Sequence, residues 1–441
     1  MNKNNYLKEI SVKEVKVGII GFGTVGTGVA SCLLENRSVM EKRTGIKIKL
    51  HKISDIDITT SRNINLPDGV LTTDTDKLID ESDIVVELVG GIEVAKKIIL
   101  SALKKGKPVV TANKALLAEK GKDIFKAAEK SNADVYYEAS VAGGIPIIKS
   151  LREGLAGNKI NKILGILNGT CNYILTKMEN DSQNFIDALN KASDLGYAEA
   201  DPTLDIDGFD TAHKTSILAS LAYGELIDMK DIHIEGIRNI ALMDINFAKD
   251  LGYRIKLMGI IKKKHDNVEV RVHPTMIPCN TIMANISDVN NGVFIEGNPV
   301  GSTLFYGQGA GMEATSSAVV ADIVDVALNI KKNSTQRIPA FKEAKQFNSL
   351  ISMDCIKSRY YIRIQVIEKP GVIAKISKIL GDENISISSI LQREKEVSSE
   401  FVPVVIITHK THEKNMLSAI DKMQNLDEIK EKIKLIRIED I

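Results

Sequence analysis

The stretch from Val15 to Gly26 reads VKVGIIGFGTVG and joins a short apolar strand pattern to a glycine-rich turn. A helical pattern, TGVASCLLEN, follows it directly. A strand, the motif GxGxxG and a helix in this order are typical of a dinucleotide-binding βαβ unit. Gly21 allows the tight turn, Gly23 lets the backbone approach a pyrophosphate, and Gly26 permits close packing of the helix. The alternative is a glycine-rich turn that binds no ligand.

Strand and helix patterns continue to alternate after this motif. The segments IKIKLHKISD, DIVVELV and KPVVTANK have the composition of buried strands, and helical patterns separate them. This alternation predicts an α/β fold, a parallel, doubly wound Rossmann-type sheet that binds its ligands at the carboxyl ends of the strands. Four residues fall at such ends, namely Gly90, Thr111, Asn113 and Lys114. We expect Lys114 either to contact cofactor or substrate or to be a surface lysine.

The residues that follow the second strand leave the cofactor open. An acidic residue at this place binds the ribose hydroxyls of NAD, and both Asp55 and Asp57 stand there. Lys52 and Arg62 lie nearby in the sequence and are suited to the 2′-phosphate of NADP instead. The sequence therefore predicts a nicotinamide dinucleotide without deciding between NAD and NADP.

The run from Gly196 to Lys214, GYAEADPTLDIDGFDTAHK, concentrates acidic residues beside a lysine. Pro202 and Gly208 predict a loop in its first half, and the second half predicts a helix. Asp210 and Lys214 are four residues apart, which places both side chains on one helical face. A carboxylate beside an amine suits proton transfer on a substrate that carries an amino group. The alternative is a solvated acidic loop followed by a surface ion pair.

Two shorter motifs lie between these stretches. The segment GGIP at 143–146 marks a sharp turn whose carbonyl groups are suited to a monovalent cation, although a tight turn needs no ion. The segment NGT at 168–170 stands where a strand gives way to a helix. Asn168 and Thr170 are therefore expected to cap that helix or to face a ligand, and capping is the ordinary role of such residues.

The composition narrows the class of protein. The 441 residues are enough for two to four domains, and the formal net charge of +1 gives no general attraction to nucleic acid or acidic membranes. The N-terminal residues are polar, which predicts no signal peptide, and no apolar run approaches the ~20 residues that span a bilayer. The cysteines are far apart and show no metal-binding spacing. We expect reduced thiols in a cytoplasmic protein.

The C-terminal part has a pattern of its own. Residues 331–358 are polar with few strong patterns, and they predict a linker. From Tyr360 onward the patterns follow the order βαββαβ, with EFVPVVIITH as one strand. This order predicts a ferredoxin-like unit.

Taken together, these motifs resemble the monofunctional homoserine dehydrogenases. The resemblance rests on GFGTVG, TANKALLA, YYEASVAGGIPII, GILNGTCNYIL, GYAEADPTLDIDGFDTAHK and GQGAGMEATSSAVVADI, which occur in the order of that family over roughly residues 15–330. It implies the NAD(P)-dependent interconversion of L-homoserine and L-aspartate 4-semialdehyde in threonine, methionine and isoleucine biosynthesis. A homodimer or homotetramer is also implied.

The resemblance assigns roles to residues of this chain by position. Lys214 and Asp210 match the catalytic pair, with Lys214 as proton donor and acceptor and Asp210 orienting it, and Lys114 is the rival catalytic lysine. The cofactor site is matched by Gly21, Phe22, Gly23, Thr24, Val25, Gly26, Gly90, Lys114, Gly309 and Gly311. The substrate site is matched by Lys114, Asn168, Gly169, Thr170, Glu199 and Asp205, of which Glu199 and Asp205 bind the amino group. A sodium-type cation site is matched by Glu138, Val141, Gly143 and Ile145. Cys171 and Ala314 depart from the family, which commonly has Thr and Pro there.

The C-terminal segment YYIRIQVIEKPGVIAKISKILGDENISISSILQR is similar to an ACT domain, a module that senses amino acids. The similarity implies threonine as a feedback inhibitor bound near Pro370, Gly371 and Asn384. The alternative is a module that only dimerises.

We therefore predict four segments. They are a dinucleotide-binding domain at 1–145 completed by 309–330, an α+β substrate-binding and dimerisation domain at 146–308, a linker at 331–358, and an ACT-like regulatory domain at 359–441.

Two other functions compete with this interpretation. A semialdehyde dehydrogenase that makes an acyl phosphate would need a nucleophilic cysteine activated by a base, and Cys171 is the only thiol near a motif. A non-enzymatic sensor of nucleotides and amino acids would bind the cofactor without turnover.

Overall fold

The computed structural model describes residues 14–392 and 401–441. Residues 1–13, which make up most of the polar N-terminal segment, lie outside these ranges. Glu400, the first residue of the predicted strand EFVPVVIITH, also lies outside them. The described residues form two compact units. The first contains residues 14–158, 216–229 and 305–346, and the second contains 159–215, 230–304 and the described part of 347–441. Among the helices of these ranges, none has the length and apolar character that a membrane crossing requires.

The first unit is built on a parallel sheet. Up to residue 154 its elements are β1 (Glu14–Ile20), α1 (Thr24–Glu35), α2 (Arg37–Thr44), β2 (Lys47–Ser54), β3 (Leu71–Thr72), α3 (Thr75–Glu81), β4 (Ile84–Glu87), α4 (Glu93–Lys104), β5 (Val109–Thr111), α5 (Lys114–Ser131), β6 (Val135–Tyr136) and α6 (Ile147–Lys149), with a π-helical turn at Ser150–Gly154. The strands follow the order β3-β2-β1-β4-β5-β6, and each neighbouring pair is parallel. The predicted parallel, doubly wound sheet is therefore confirmed.

The last strand of this unit is short, although the sequence pattern DVYYEASVAGGIPII suggests a longer one. The segment 134–148 forms a strand only at Val135–Tyr136 and then turns into a 3₁₀-helix at Glu138–Ser140. The amide of Glu138 donates to Asp322 Oδ2 at 2.8 Å, where a continuing strand would have bonded to a neighbouring strand. A buried side chain therefore ends the strand.

The middle of the chain supplies most of the second unit. From residue 159 to residue 350 the elements are β7 (Lys159–Ile166), α7 (Gly169–Asn180), α8 (Phe185–Asp194), α9 (Thr203–Ile206), α10 (Phe209–Tyr223), β8 (His233–Ile234), α11 (Leu242–Asp250), β9 (Tyr253–Lys264), β10 (Asn267–Pro278), β11 (Asn290–Asn298), β12 (Gly301–Gln308), α12 (Met312–Lys332) and β13 (Ser349–Leu350). Of these, α12 belongs to the first unit, as do the last residues of α10 and β12. Strands β7, β9, β10 and β11 pair in antiparallel fashion. These strands and helices confirm the α+β fold predicted for the middle of the chain.

The C-terminal module has the predicted ferredoxin-like order. Its elements are β14 (Lys357–Ile367), α13 (Val372–Asp382), β15 (Ile387–Gln392), β16 (Phe401–Thr408), β17 (Thr411–His412), α14 (Glu413–Gln424) and β18 (Lys434–Ile438). Apart from the short β17, the strands lie in the order β18-β14-β16-β15 with antiparallel neighbours. Helices α13 and α14 bury Ile376 and Met416 against Ile362, Ile364 and Val404 of the sheet. The βαββαβ prediction is confirmed.

The sheet of this module continues into the sheet of the middle segment. Strand β18 pairs in parallel with β10, with Thr275 opposite Arg437 and Met276 opposite Ile438. The complete strand order is β12-β11-β7-β9-β10-β18-β14-β16-β15. The predicted linker also contributes, because β13 pairs with β10. The module is therefore built into the second unit by backbone hydrogen bonds.

A buried carboxylate, Asp244 of α11, strengthens this connection. It accepts hydrogen bonds from Arg363 Nε at 2.6 Å and from the hydroxyl of Tyr361 at 3.1 Å, both on β14. It also accepts the amide of Ala241 at 3.1 Å, at the start of its own helix. The side chain of Asp244 is completely buried. Removal of Asp244 would leave the guanidinium of Arg363 in a buried place without its acceptor.

We expect Asp244→Ala to lower the free energy of unfolding of the second unit by about 3 kcal/mol, the usual cost of removing one partner of a buried ion pair. Asp440→Ala is the matched control, because Asp440 is an exposed partner of Arg359 in the same unit and should cost less than ~1 kcal/mol. The measurement is urea unfolding followed by circular dichroism. Equal shifts in the two variants would contradict the role given to Asp244.

Candidate active site

The glycine loop of the first unit leaves space in front of a helix. Gly21 has φ +103°, and a Cβ there would lie 2.6 Å from the carbonyl group of Leu88. A Cβ on Gly26 would lie 2.1 Å from the carbonyl oxygen of Gly21. Gly23 precedes α1, and a Cβ on it would meet no atom within 4 Å. The open amide groups at the start of α1 fit the pyrophosphate of a dinucleotide.

The residues after β2 are arranged around this loop. Asp55 Oδ2 accepts the amide of Phe22 at 2.5 Å, so this carboxylate supports the glycine loop. The guanidinium of Arg62 lies 4.7 Å from the centre of the Phe22 ring and pairs with Asp57 at 3.4 Å. Lys52 instead donates to the carbonyl of Gly69. Of the two cations proposed for a 2′-phosphate, Arg62 is thus the one placed at the glycine loop.

The carboxyl ends of β4 and β5 form a second fixed turn. The hydroxyl of Thr111 donates to Glu87 Oε2 at 2.7 Å, and Asn113 Nδ2 donates to the carbonyl of Gly91 at 2.6 Å. Burial raises the pKa of Glu87, although its hydrogen bonds act in the opposite direction. Gly90 has φ +79°, and Lys114 is the half-buried first residue of α5. The predicted strand-end residues are therefore held together at one edge of the sheet.

The return of the chain after β12 completes the first unit. Gly311 has φ +107° and precedes α12. This helix packs on α1, where a Cβ on Gly28 would lie 2.3 Å from Ser316 Oγ. Gly28 therefore needs to be a glycine, which the sequence analysis missed. The sequence signal for this requirement is the position of Gly28, two residues after the last glycine of the GxGxxG motif.

The predicted cation turn, residues 138–145, surrounds a buried carboxylate. The two oxygens of Glu138 accept the amides of Ile148 and Lys149, each at 2.8 Å. Burial raises the pKa of Glu138, and it raises the pKa of the neighbouring Asp322 well above its usual value. Gly143 has φ +53° within this turn. Two buried carboxylates therefore lie at this turn. Asp322 was missed because it is distant in sequence.

In the second unit, the helix predicted from Asp210 is confirmed as α10. Asp210 and Lys214 are 4% and 8% exposed, so the alternative of a surface ion pair is wrong. Lys214 Nζ donates to Asp210 Oδ2 and to the carbonyl of Leu167, each at 2.7 Å. The i, i+4 spacing thus places an amine between a carboxylate and a backbone carbonyl in a buried environment.

Asn168 connects this pair to the acidic loop. Its Nδ2 donates to Asp210 Oδ2 at 2.9 Å and to Asp205 Oδ1 at 2.7 Å. Its Oδ1 accepts the amide of Cys171 at 2.8 Å and so caps α7. The capping role expected from the sequence is therefore confirmed, and the same side chain also bridges Asp205 and Asp210.

Two further predicted substrate residues, Gly169 and Thr170, are the first residues of α7. The hydroxyl of Thr170 donates to the carbonyl of Tyr197 at 2.6 Å. A Cβ on Gly169 would lie 2.7 Å from the carbonyl oxygen of Val289, which excludes a larger residue. Glu199 is exposed on the loop between α8 and α9 and takes no part in the hydrogen bonds of Asn168.

Cys171 does not have the properties of a nucleophile. Its thiol is buried and donates to the carbonyl of Asp205 at 3.2 Å. Burial, and then the charges of Asp205 and Asp210, raise the pKa of this thiol well above its usual value. A catalytic cysteine needs the opposite shift. This site therefore does not suit acyl-phosphate formation.

Three family models match the chain. The NAD-binding domain of homoserine dehydrogenase matches residues 21–138, the homoserine dehydrogenase model matches residues 146–324, and the ACT domain model matches residues 360–428. The resemblance stated from the motifs is confirmed.

Relatives and solved structures agree with these matches. The homoserine dehydrogenase of Neisseria gonorrhoeae is 43% identical over 435 residues, which cover 98% of this chain and 100% of that protein. The crystal structure of a homoserine dehydrogenase from Thiobacillus denitrificans has a TM-score of 0.91 and 42% identity, and the match covers 97% of this chain and 99% of that one. A hyperthermophilic archaeal homoserine dehydrogenase in complex with NADPH is 28% identical with a TM-score of 0.61, over 72% of this chain and 98% of that one.

These findings agree with a glycine loop that fits a dinucleotide and with a module of ferredoxin-like order. The chain therefore belongs to the homoserine dehydrogenase family and is an NAD(P)-binding oxidoreductase with a C-terminal ACT domain.

Proposed function

We propose that Lys214 is the proton donor and acceptor when this enzyme interconverts L-homoserine and L-aspartate 4-semialdehyde, and that Asp205 and Glu199 bind the substrate amino group. The observation that carries this proposal is the continuous set of hydrogen bonds from Asp205 through Asn168 and Asp210 to Lys214. At one end of this set, the carboxylate of Asp205 is suited to bind the ammonium group of the substrate. At the other end, the amine of Lys214 is suited to exchange a proton with the substrate hydroxyl.

The reaction moves one hydride and one proton. When bound, a nicotinamide cofactor supplies or accepts the hydride. The side chains of the second unit must orient the amino alcohol and remove or return the hydroxyl proton.

The hydrogen bonds of Lys214 explain how it performs the proton transfer. A lysine nitrogen carries three N–H groups when charged, and two N–H groups with a lone pair when neutral. In either state, two N–H groups satisfy Asp210 and the carbonyl of Leu167. These two bonds hold the amine nitrogen in the same place in both protonation states.

Asp210 and burial act on this amine in opposite directions. The nearby carboxylate favours the charged amine, which returns the proton during reduction of the aldehyde. Burial favours the neutral amine, which accepts the proton during oxidation of the alcohol. Asp210 orients Lys214, because its Oδ2 is held in turn by Asn168.

We expect Lys214→Met to lower kcat by about 10³-fold, within the range for loss of a general acid–base group, while NADPH binding measured by fluorescence stays unchanged. Lys177→Met is the control, because Lys177 lies on α7 in an ion pair with Asp288. Lys114→Met tests the rival lysine. Turnover that survives in Lys214→Met and is lost in Lys114→Met would move the role to Lys114.

A monovalent cation at Glu138, held also by the carbonyls of Val141, Gly143 and Ile145, is part of the proposal. The supporting observation is the pair of buried carboxylates, Glu138 and Asp322, whose pKa values are both raised by burial. A bound cation would offset that buried negative charge.

We expect sodium or potassium to raise both the melting temperature and kcat/KM relative to tetramethylammonium at equal ionic strength. Glu138→Gln should remove this dependence, because the amide carries no charge to attract the ion. Glu153→Gln is the control, since Glu153 pairs with Arg152 and Arg337 in the same unit. Identical stability and activity in all three salts would exclude the cation.

Threonine is the proposed ligand of the C-terminal module, close to Gly371 and Asn384. Gly371 has φ +92° and precedes α13, and a Cβ on it would meet no atom within 4 Å. Asn384 is exposed with φ +57° and follows the last residues of the same helix. The open amide groups at the start of α13 suit the carboxylate of a small amino acid, and the exposed carboxamide of Asn384 is the second polar group that the resemblance assigns to such a ligand.

We expect L-threonine to inhibit the enzyme, and Asn384→Gly to raise the inhibitory concentration about tenfold, the effect of one lost hydrogen bond to a charged ligand. Glycine keeps the left-handed backbone, so only the side chain is lost. Asn132→Gly is the control, because Asn132 is another left-handed asparagine and ends α5. No inhibition of the native enzyme would favour a purely structural module.

A further inference from the structure

The segment of residues 233–238 lies against residues 203–208, the acidic loop, whose first residues form the one-turn helix α9 rather than the predicted irregular loop. A Cβ on Gly236 would lie 2.1 Å from the carbonyl oxygen of Ile206 and 2.4 Å from Asp207 Cα. The amide of Ile237 donates to the same carbonyl oxygen of Ile206 at 2.8 Å. The two backbones are therefore in direct contact, with no room for a side chain between them.

Further contacts fix both ends of the acidic loop. Arg238 donates to the hydroxyl of Thr203 at 3.1 Å and pairs with Asp207. At the other end, a Cβ on Gly208 would lie 3.3 Å from Ile234 Cγ2. A shift of the 233–238 segment would therefore move the loop with it.

The same segment is attached to the C-terminal module by an ion pair. Glu235 Oε2 accepts a hydrogen bond from Arg437 Nη1 at 2.8 Å, and Arg437 lies on β18. Burial would raise the pKa of Glu235, but His233 and Arg437 outweigh it and lower the pKa to about 2. Glu235 is thus charged at neutral pH. Its amide also donates to the carbonyl of Val272 on β10, at 2.8 Å.

The ion pair between Glu235 and Arg437 is not required to neutralise the buried arginine. Arg437 has a second charged partner, Glu413, which accepts hydrogen bonds from its Nε at 3.0 Å and from its Nη2 at 2.5 Å. The guanidinium therefore keeps a charged partner when Glu235 is absent. Loss of Glu235 would therefore affect the position of the 233–238 segment rather than the charge balance of Arg437.

We propose that Glu235 is a positioning residue, which through Arg437 fixes the 233–238 segment and thereby holds Asp205 in place for the substrate. This inference rests on the proposed role of Asp205 at the amino group. In this arrangement the C-terminal module helps to hold the acidic loop in place, through the side chain of Arg437 on β18.

The test is the kinetics of Glu235→Ala and Glu235→Gln in the full-length enzyme. The alanine variant loses the contact, and we expect its KM for L-homoserine to rise about tenfold, while kcat and the KM for the cofactor stay within about twofold. Glutamine keeps an acceptor and should restore part of the loss. Glu428→Ala is the matched control, because Glu428 pairs with Lys375 inside the module at 2.6 Å.

Hydrogen exchange of the amides of Asp207 and Gly208 is a second measurement that needs no turnover. These amides bond within the loop, to the carbonyls of Thr203 and Asp205. We expect faster exchange in Glu235→Ala and native exchange in Glu428→Ala. An inactive native enzyme would refute the proposed function, but the exchange result would still test the positioning. Unchanged KM and exchange would overturn the inference, as would a parallel change of kcat and both KM values.

Discussion

One neutral side chain, the carboxamide of Asn168, stands between two carboxylates, and the site of the second unit depends on it. Its two N–H groups reach Asp205 and Asp210, while its oxygen holds the start of α7. Two carboxylates close to each other repel. The amide gives each of them a hydrogen-bond donor of its own and adds no charge. An aspartate at this position would keep the helix cap but would add a third negative charge.

A charged version of the same arrangement joins the C-terminal module to the rest of the second unit. Arg437 stands between Glu235 and Glu413, as Asn168 stands between its two aspartates. An apolar layer would hold strands β10 and β18 together equally well, since buried ion pairs add little net stability. It would also tolerate a shift in register. Charged groups accept one register only, because a shift would leave a buried charge without its partner.

The sequence predicts those features that depend on local spacing. The glycine motif, the Asp210–Lys214 pair on one helical face and the βαββαβ order are patterns within short stretches, and each is found in the structure. Features that join distant residues were not accessible. The bridge from Asn168 spans 42 residues, and the bond that ends the strand at Glu138 comes from Asp322. No local pattern encodes such partners, because only the packed chain brings them together.

The continuous sheet limits how a ligand of the C-terminal module can act on the substrate. A ligand changes affinity elsewhere only if it binds two arrangements with different free energies. Strand β18 is hydrogen-bonded to β14 of the module on one side and to β10 on the other. A motion that keeps both ladders intact must carry β18 along, and Arg437 with it. This route reaches the acidic loop through Glu235 without displacing Lys214, which is bonded to Leu167 and Asp210. Regulation along it would therefore act on the affinity for substrate first, because Asp205 lies on the acidic loop and Lys214 is reached only through Asn168 and Asp210.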